Sequence, residues 1–201
     1  MNDYIPPDGP VPSGYKSARL LLEPLRPEHV QLDFEAVMES RDYLRLWSGS
    51  SWPAEDFTLA DNLQDLQRHW REHQERVAFT YTVLEPARQS CLGCVYLRPL
   101  SELIPYNAQE LQDIAAGESL VRFWVRTAEQ NSDLEQHLLQ TLIDWLYEDW
   151  PFSRVLLETS VKNEGQMALF DAYPLQRMMS LEMPQRGGRH LFYLASGKFP
   201  G

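Results

Sequence analysis

One strongly periodic segment constrains the fold of this chain more than any other feature. Between residues 134 and 146, apolar side chains recur at helical spacing, which predicts a helix with one buried face. The runs SLVRFWVR before it (residues 119–126) and RVLLETSV after it (residues 154–161) are typical of strands, and the second is apolar enough to be central in a sheet. A helix that packs beside such strands predicts a mixed α/β domain. The predicted core positions of this helix are Leu134, Leu138, Leu139, Leu142, Trp145 and Leu146.

Further elements surround this centre in the sequence. Thr58 and Asp61 have the spacing of a capping box and predict the start of a helix. No repeat or domain-sized linker interrupts the order, so we predict a single domain over residues 17–201 after an extended, proline-rich arm over residues 1–16. Helices are predicted at residues 27–40, 58–75 and 163–173, and further strands at residues 18–25, 76–86, 90–100, 176–183 and 189–196.

The charge balance limits the partners of the protein. The formal net charge is −11 and no basic patch is evident, which argues against binding to nucleic acid or to an anionic membrane surface. The same acidity suits an amine substrate, especially a cationic one. The N-terminal residues lack the basic start and apolar core of a signal peptide, and no apolar run is long enough to span a membrane. We therefore expect a cytoplasmic protein.

The two cysteines, Cys91 and Cys94, have a spacing found in zinc and redox sites. They fall within a predicted strand, where residues three apart point to opposite faces. No second cysteine pair is present to complete a zinc site. We therefore expect two buried, apolar-type cysteines, no metal site and no disulfide framework, which fits a reducing compartment.

Two histidines, His69 and His73, are four residues apart and so share one face of a predicted helix. This spacing can chelate a metal, but Trp70 stands where a zinc protease motif needs glutamate. No third ligand is evident. We predict a solvated helix face.

Placed on this element order, several segments resemble the GNAT superfamily of N-acetyltransferases, particularly its branch that acetylates ribosomal proteins. ARLLLEPLRPEHV resembles the opening strand and helix of the family, LGCVYLRPL the third strand, VRFWVR the fourth, and VLLETSVKNEGQMALF the fifth strand and the following helix. The resemblance covers roughly residues 17–195. It implies a mostly antiparallel, twisted sheet of about six to seven strands flanked by helices. It also implies transfer of an acetyl group from acetyl-CoA to an amine, on a small molecule or a protein N-terminus.

The resemblance also implies a cofactor site. The fourth strand would pair its backbone with the pantetheine arm, and the start of the periodic helix would hold the pyrophosphate through its N–H groups. Asn163 matches the usual asparagine of the family, and Phe170 stands where many members have a tyrosine that protonates the CoA thiolate. The strand residues are Trp124, Val125 and Arg126, and the pyrophosphate motif Q/R-x-x-G-x-G/A falls on Gln130, Asn131, Ser132, Asp133, Leu134 and Glu135.

This chain departs from the pyrophosphate motif at two positions. Asp133 and Glu135 replace the two glycines, and one such carboxylate about 5 Å from a phosphate charge repels it by roughly 3 kcal/mol. In addition, Ser132 and Glu135 have the spacing of a capping box, which would engage the donors that phosphate needs. An alternative hypothesis follows: a GNAT-fold protein that has lost ordinary acetyl-CoA binding and serves as a binding or interaction module.

The catalytic groups are less evident. Glu118 and Glu158 are candidates for the base that deprotonates the amine, although an exposed carboxylate is the more common role of glutamate. Phe170 has no proton to donate, and Tyr173, one helical turn further on, either replaces it as acid or packs the helix on the sheet. A long connector at residues 101–118 is a candidate partner-binding element. The acceptor and the oligomeric state stay open, a homodimer included.

Overall fold

A computed structural model of the chain describes residues 4–6, 8–105 and 117–195. In these ranges no helix has the length and apolarity needed to cross a bilayer. The strands are β1 (Tyr15–Lys16), β2 (Leu21–Pro24), β3 (Phe79–Leu84), β4 (Cys91–Pro99), β5 (Glu118–Val125), β6 (Arg154–Ser160), β7 (Leu175–Met183) and β8 (Gly188–Ala195). The helices are α1 (Val30–Glu39), α2 (Arg41–Ser48), α3 (Leu59–Gln74), α4 (Asp133–Glu148) and α5 (Glu164–Asp171).

All eight strands form one sheet in the order β1-β2-β3-β4-β5-β6-β8-β7. Within the described ranges, β5 and β6 are the only parallel neighbours, and the other pairs are antiparallel. The prediction of a mixed α/β fold with a mostly antiparallel sheet flanked by helices is confirmed. The sheet has more strands than expected, partly because β1 lies in the predicted arm. Of the connector at residues 101–118, residues 106–116 lie outside the described part of the chain.

The helices cover the two faces of the sheet. On one face, the apolar side of α4 packs against alternate residues of the central strands, such as Val121 and Phe123, as its period predicts. On the other face, α1, α2 and α3 cover Leu21, Cys94 and Trp124. The cap of α3 also follows its prediction, because the Thr58 N–H donates to Asp61 Oδ2 (2.9 Å) and the Asp61 N–H donates to Thr58 Oγ1 (3.2 Å).

Helix α2 is an element that the sequence pattern did not predict. It is one of the shorter helices, and only Leu44 and Trp47 are buried, so its apolar period is too brief to stand out. Gly49 ends it with φ +66°, where a Cβ would lie 1.8 Å from the Arg186 carbonyl oxygen. This close approach holds α2 against the turn before β8.

The N-terminal arm packs on its own domain. Tyr4 and Ile5 are buried in the core beneath α4. The Tyr4 hydroxyl lies 2.6 Å from Ser119 Oγ, and Arg76 donates to the Pro6 carbonyl oxygen (3.0 Å). The arm is therefore part of the folded unit in the described chain.

Cys91 and Cys94 lie on the same face of the sheet, so the prediction of opposite faces is wrong. The register between β3 and β4 shifts because Val83 pairs with Gly93 whereas Leu84 pairs with Cys91. This bulge adds one residue to β4 and breaks the alternation of side chains. Both cysteines are buried and free, as expected, and both face α1.

Candidate active site

A gap opens in the middle of the sheet, between its two parallel strands. β5 and β6 pair from Glu118 opposite Arg154 to Val121 opposite Leu157, and their pairing ends there. β5 stays paired with β4 through Val125, so the second half of β5 has one edge without a strand partner in the described chain. The predicted pantetheine-binding strand therefore borders a V-shaped gap.

Two side chains from outside the sheet reach the backbone of β5 in this gap. The Phe123 carbonyl oxygen accepts hydrogen bonds from Trp47 Nε1 (2.8 Å) and Gln166 Nε2 (3.1 Å). Trp47 belongs to α2 and Gln166 to α5, so these helices meet at the gap from opposite faces. A ligand that pairs with the β5 backbone at Phe123 would share this carbonyl oxygen with the two donors or displace them.

The start of α4 lies at the open end of the gap. Ser132 Oγ accepts hydrogen bonds from the N–H groups of Leu134 (3.1 Å) and Glu135 (3.4 Å), which is the predicted N-cap. The carboxylate of Glu135 accepts from the Asn131 N–H (2.7 Å), whereas a capping box would join it to Ser132. The predicted capping box is therefore wrong in its second half, because Asn131 takes a positive φ of 56° that turns its N–H toward Glu135.

The two acidic residues of the motif have different surroundings. Glu135 is buried and burial raises its pKa, while the Asn131 N–H opposes that rise. Asp133 is exposed. Gln130 Nε2 is buried and has no hydrogen-bond partner among the described residues. The helix start thus combines one buried acidic group with one unused amide donor.

The opposite wall of the gap is the start of α5. Asn163 Oδ1 caps it by accepting from the Gln166 N–H (3.3 Å), and Asn163 Nδ2 donates to the Tyr43 hydroxyl (3.3 Å). A Cβ on Gly165 would lie 2.7 Å from Asn131 Oδ1, so the α4 and α5 starts are in contact. The structure therefore brings the predicted residues Asn131, Glu135 and Asn163 together at one end of the gap.

Three other predicted cofactor residues and the candidate acid Tyr173 make structural contacts outside this end of the gap. The Phe170 ring is buried between Phe123 (5.9 Å) and Tyr193 (5.3 Å), which is a packing position. Trp124 lies on the α1 side of the sheet, where its Nε1 donates to the Tyr96 hydroxyl (3.1 Å). Arg126 pairs with Glu39 beyond the end of β5, and the hydroxyl of Tyr173 donates to the Gln136 carbonyl oxygen (3.4 Å).

A cavity of about 270 Å³ lies on the α1 side of the sheet, next to the gap. Trp47, Trp52 and Tyr96 give it aromatic walls, and the guanidinium of Arg122 stacks 4.1 Å over the Trp47 ring. Trp47 borders both spaces, because its ring lines the cavity while its Nε1 reaches the Phe123 carbonyl in the gap. Two reactants could therefore meet near Trp47, one on each side of the sheet.

The candidate bases Glu158 and Glu118 are both buried, so the expectation of exposed carboxylates is wrong. Glu158 Oε2 accepts from Arg186 (2.8 Å), and its Oε1 lies 2.9 Å from His190 Nδ1 and 3.6 Å from Arg122 Nε. Burial by itself would raise the pKa of Glu158, but Arg122, His190 and Arg186 together lower it to about 2.

Such a carboxylate is a weak proton acceptor at neutral pH. Glu118 accepts from Arg154 (2.6 Å) at the closed end of the strand pair, four residues along β5 from Arg122, which is roughly 13 Å away. Neither glutamate is thus well suited to accept a proton in the gap.

His69, which was predicted to lie on a solvated helix face, lines the cavity. It is 9% exposed, and its Nδ1 lies 3.1 Å from Thr80 Oγ1 and 3.3 Å from Glu72 Oε2. Its Nε2 lies 3.4 Å from Arg68 Nη2. Because arginine only donates, Nε2 accepts and Nδ1 carries the hydrogen.

His73 is also partly buried, packed edge-on against Phe79 at 5.0 Å. Burial and Arg26 lower its pKa to about 4. The prediction of a solvated face is therefore wrong for both histidines. The sequence does contain a signal for the burial of His69. Asn62, Leu66 and His69 recur at helical spacing, and all three are buried.

The divided sheet and its flanking helices define the GNAT fold, which confirms the resemblance at the level of fold. No family model matches the chain, and no curated protein matches it by sequence. Among solved structures, it is similar to RimL, a ribosomal L7/L12 alpha-N-protein acetyltransferase in complex with coenzyme A, with 14% identity, a TM-score of 0.68 and coverage of 92% of this chain and 96% of that chain.

Two other acetyltransferases are similar to the same degree. The ribosomal-protein-S5-alanine acetyltransferase from Vibrio fischeri has 13% identity and a TM-score of 0.70, covering 90% of this chain and 95% of that chain. The microcin C7 self-immunity acetyltransferase MccE, in complex with acetyl-CoA and AMP, has 13% identity and a TM-score of 0.69, covering 92% of this chain and 97% of that chain. At identities this low, the structural similarity shows a shared fold and no more.

Proposed function

We propose that this protein is an N-acetyltransferase that transfers an acetyl group from acetyl-CoA to an amine. The observation that carries the proposal is the gap between β5 and β6, which adjoins a separate cavity at Trp47. Direct acyl transfer needs the thioester and the amine in contact, and two spaces that meet at one residue provide that arrangement. The solved neighbours that carry CoA or acetyl-CoA support the same proposal.

The residues of the gap fit such a cofactor in part. The unpaired edge of β5 would hold an amide-containing chain such as pantetheine, and Gln130 Nε2 would donate to a phosphate oxygen. Acetyl-CoA, when bound, supplies the activated acyl thioester. The carboxylate of Glu135 opposes the fit, because it already occupies the Asn131 N–H. Binding of a phosphate there requires this contact to open.

The amine acceptor would enter the cavity on the other face. Asp65 and the aromatic walls would contact the amine, whereas the arginines that line the same cavity disfavour an acceptor with further positive charges; they are Arg68, Arg98, Arg122 and Arg186. His69 would take the proton that the amine loses when it attacks, since its Nε2 is an acceptor and Glu72 holds the ring. Glu158 would keep Arg122 in place without exchanging a proton.

A second candidate function rests on the start of α4. The buried Glu135 carboxylate engages a backbone N–H of the would-be phosphate site, and this favours a GNAT-fold module that binds something other than acetyl-CoA. The two candidates differ in one measurable property, which is affinity for acetyl-CoA.

Calorimetric titration with acetyl-CoA distinguishes them. For an acetyltransferase we expect saturable binding with a dissociation constant below about 1 mM, as is usual for enzyme substrates. The double variant Asp133→Gly, Glu135→Gly should then change the affinity by less than about tenfold. An absence of binding heat at millimolar acetyl-CoA would refute the enzyme proposal.

The module hypothesis predicts a different pattern. The wild type would not bind, and the double variant would gain affinity on the order of 100-fold, because solvent screens the exposed Asp133 and leaves roughly 3 kcal/mol of repulsion in total. Asp149→Asn, at the opposite end of α4, is the matched control and should leave the titration unchanged. If the double variant also fails to bind acetyl-CoA, the two carboxylates are not what prevents binding.

A further inference from the structure

The bulge in β4 places three metal-ligating side chains together beneath α1. One ligand atom each from Asp33, Cys91 and Cys94 lies within 4.8 Å of the other two. All three residues are buried, with exposed fractions of 3%, 1% and 1%. Gly93 makes this arrangement possible, because it has a φ of +156° and a Cβ at its position would lie only 2.0 Å from the Trp124 carbonyl oxygen, which excludes any other residue.

Asp33 is a buried side chain that forms no ion pair within the described part of the chain. Among the ion pairs of the described residues, none includes Asp33, whereas the equally buried Glu158 has two arginines and a histidine around it. A buried, ionised carboxylate needs a cationic side chain or a metal ion beside it, and the geometry of Asp33 and the two cysteines offers a place for a metal ion.

The hydrogen bonds of Asp33 leave one oxygen on the side of the sulfurs. Asn62 Nδ2 donates to Asp33 Oδ2 (2.9 Å), while Cys94 Sγ lies 3.4 Å from Asp33 Oδ1. An amide that holds the second oxygen of a carboxylate is a frequent support for a metal ligand. The Cys91 sulfur, which donates to the Gly93 carbonyl oxygen (3.4 Å), lies within 4.8 Å of the Cys94 sulfur and of an Asp33 carboxylate oxygen.

We propose that Asp33, Cys91 and Cys94 bind a zinc ion. Two thiolates and a carboxylate are a donor set that suits Zn²⁺, which prefers four ligands. On binding, each thiol S–H bond breaks, a sulfur–zinc bond forms and the proton leaves to solvent, with no change of oxidation state. Asp33 also lines the cavity beside the gap, so a fourth position for water or for a substrate atom is reachable from it.

Cobalt substitution tests the site without any need for enzymatic activity. The full chain is stripped with a chelator under reducing conditions and then titrated with CoCl₂. We expect one equivalent to produce the thiolate-to-cobalt charge-transfer absorption and the d–d bands of a four-coordinate site, and ZnCl₂ to abolish both. Zinc should also raise the unfolding temperature, because it binds the folded state.

Variants assign the ligands. Cys91→Ser and Cys94→Ser should each weaken the charge-transfer absorption, and Asp33→Asn should reduce zinc affinity on the order of 100-fold. Glu35→Gln is the matched control, since Glu35 is an exposed carboxylate on α1, the helix that carries Asp33. If the wild type shows neither cobalt spectrum nor zinc-dependent stabilisation, or if metal binding persists unchanged in Cys94→Ser and Asp33→Asn, the proposal is overturned.

Discussion

At the scale of single residues, Glu158 shows how neighbours decide the chemistry of a side chain. Its carboxylate, 1% exposed, has Arg122, Arg186 and His190 around it. Its pKa of about 2 in the folded chain is below the ordinary 4.5, so the folded state favours the charged form. The resulting stabilisation is fully present above the ordinary pKa and is lost as the pH falls through the folded value.

The substitution Glu158→Gln tests this network. We expect the free energy of unfolding at neutral pH to fall by about 3–5 kcal/mol, because two half-buried arginines lose their buried counterion. The wild type should lose stability between about pH 5 and pH 2, by on the order of 3 kcal/mol from this group, and the variant should lose less. Urea denaturation across that range measures both effects.

The exposed Glu55 provides the control for this experiment. It pairs with Arg41 and Arg45 at the surface, and solvent screens those pairs. Glu55→Gln should therefore leave the stability at neutral pH and the acid loss unchanged. An identical acid profile for Glu158→Gln and the wild type would mean that Glu158 keeps its ordinary pKa.

At the scale of elements, α3 carries two histidines one turn apart in different surroundings. His69 opens on the cavity and is held by Glu72 at 3.3 Å, whereas His73 packs on Phe79 and is not a cavity residue. The same helix thus carries one histidine that is a candidate base and a second histidine that only packs in the core. This pair allows a role in proton transfer to be separated from a role in stability.

We expect His69→Gln to lower kcat for acetyl transfer by about 10²–10⁴-fold, the usual contribution of a general base. KM for acetyl-CoA should change little, since His69 lines the cavity on the other face of the sheet. His73→Gln should leave kcat unchanged and lower only the thermal stability. Steady-state assays of both variants, with an amine accepted by the wild type, measure this difference. Equal kcat in His69→Gln and the wild type would exclude His69 as the base.

At the scale of the whole molecule, the N-terminal arm completes the core. Tyr4 packs its ring 5.6 Å from Phe152 and 5.8 Å from Phe79, and its hydroxyl meets Ser119 in β5. These contacts join the arm to three separate parts of the chain. The core between the sheet and α4 therefore includes part of a segment that the sequence pattern predicted to be an extended arm.

Two substitutions at Tyr4 measure the contribution of the arm. Tyr4→Ala should lower the free energy of unfolding by about 3–5 kcal/mol, since it removes a buried ring. Tyr4→Phe keeps the ring and should cost only about 1 kcal/mol, the value of one hydrogen bond. Chemical denaturation of both proteins is the measurement. If Tyr4→Ala were as stable as the wild type, the arm would contribute nothing to folding in solution.

Much of the fold was predictable because its signals are local. The apolar period of α4, the Thr58 cap of α3 and the Ser132 cap of α4 each depend on residues within about one helical turn, so they can be recognised in the sequence alone. The order of strands and helices follows from the same patterns. The resemblance to the GNAT superfamily implied that Asn131 and Asn163 contact the cofactor, and the structure places both residues at one end of the gap.

The surroundings of the side chains were decided only by the tertiary structure. Trp47 meets the Phe123 carbonyl across 76 positions of sequence, and Cys94 meets Asp33 across 61. The bulge that turns Cys91 toward Cys94 depends on pairing between β3 and β4, and the low pKa of Glu158 depends on groups from β5 and the turn before β8. Local pattern determines which elements form, because it reflects contacts within one element. Burial and charge neutralisation depend on which elements meet, and that is settled only when the chain is folded.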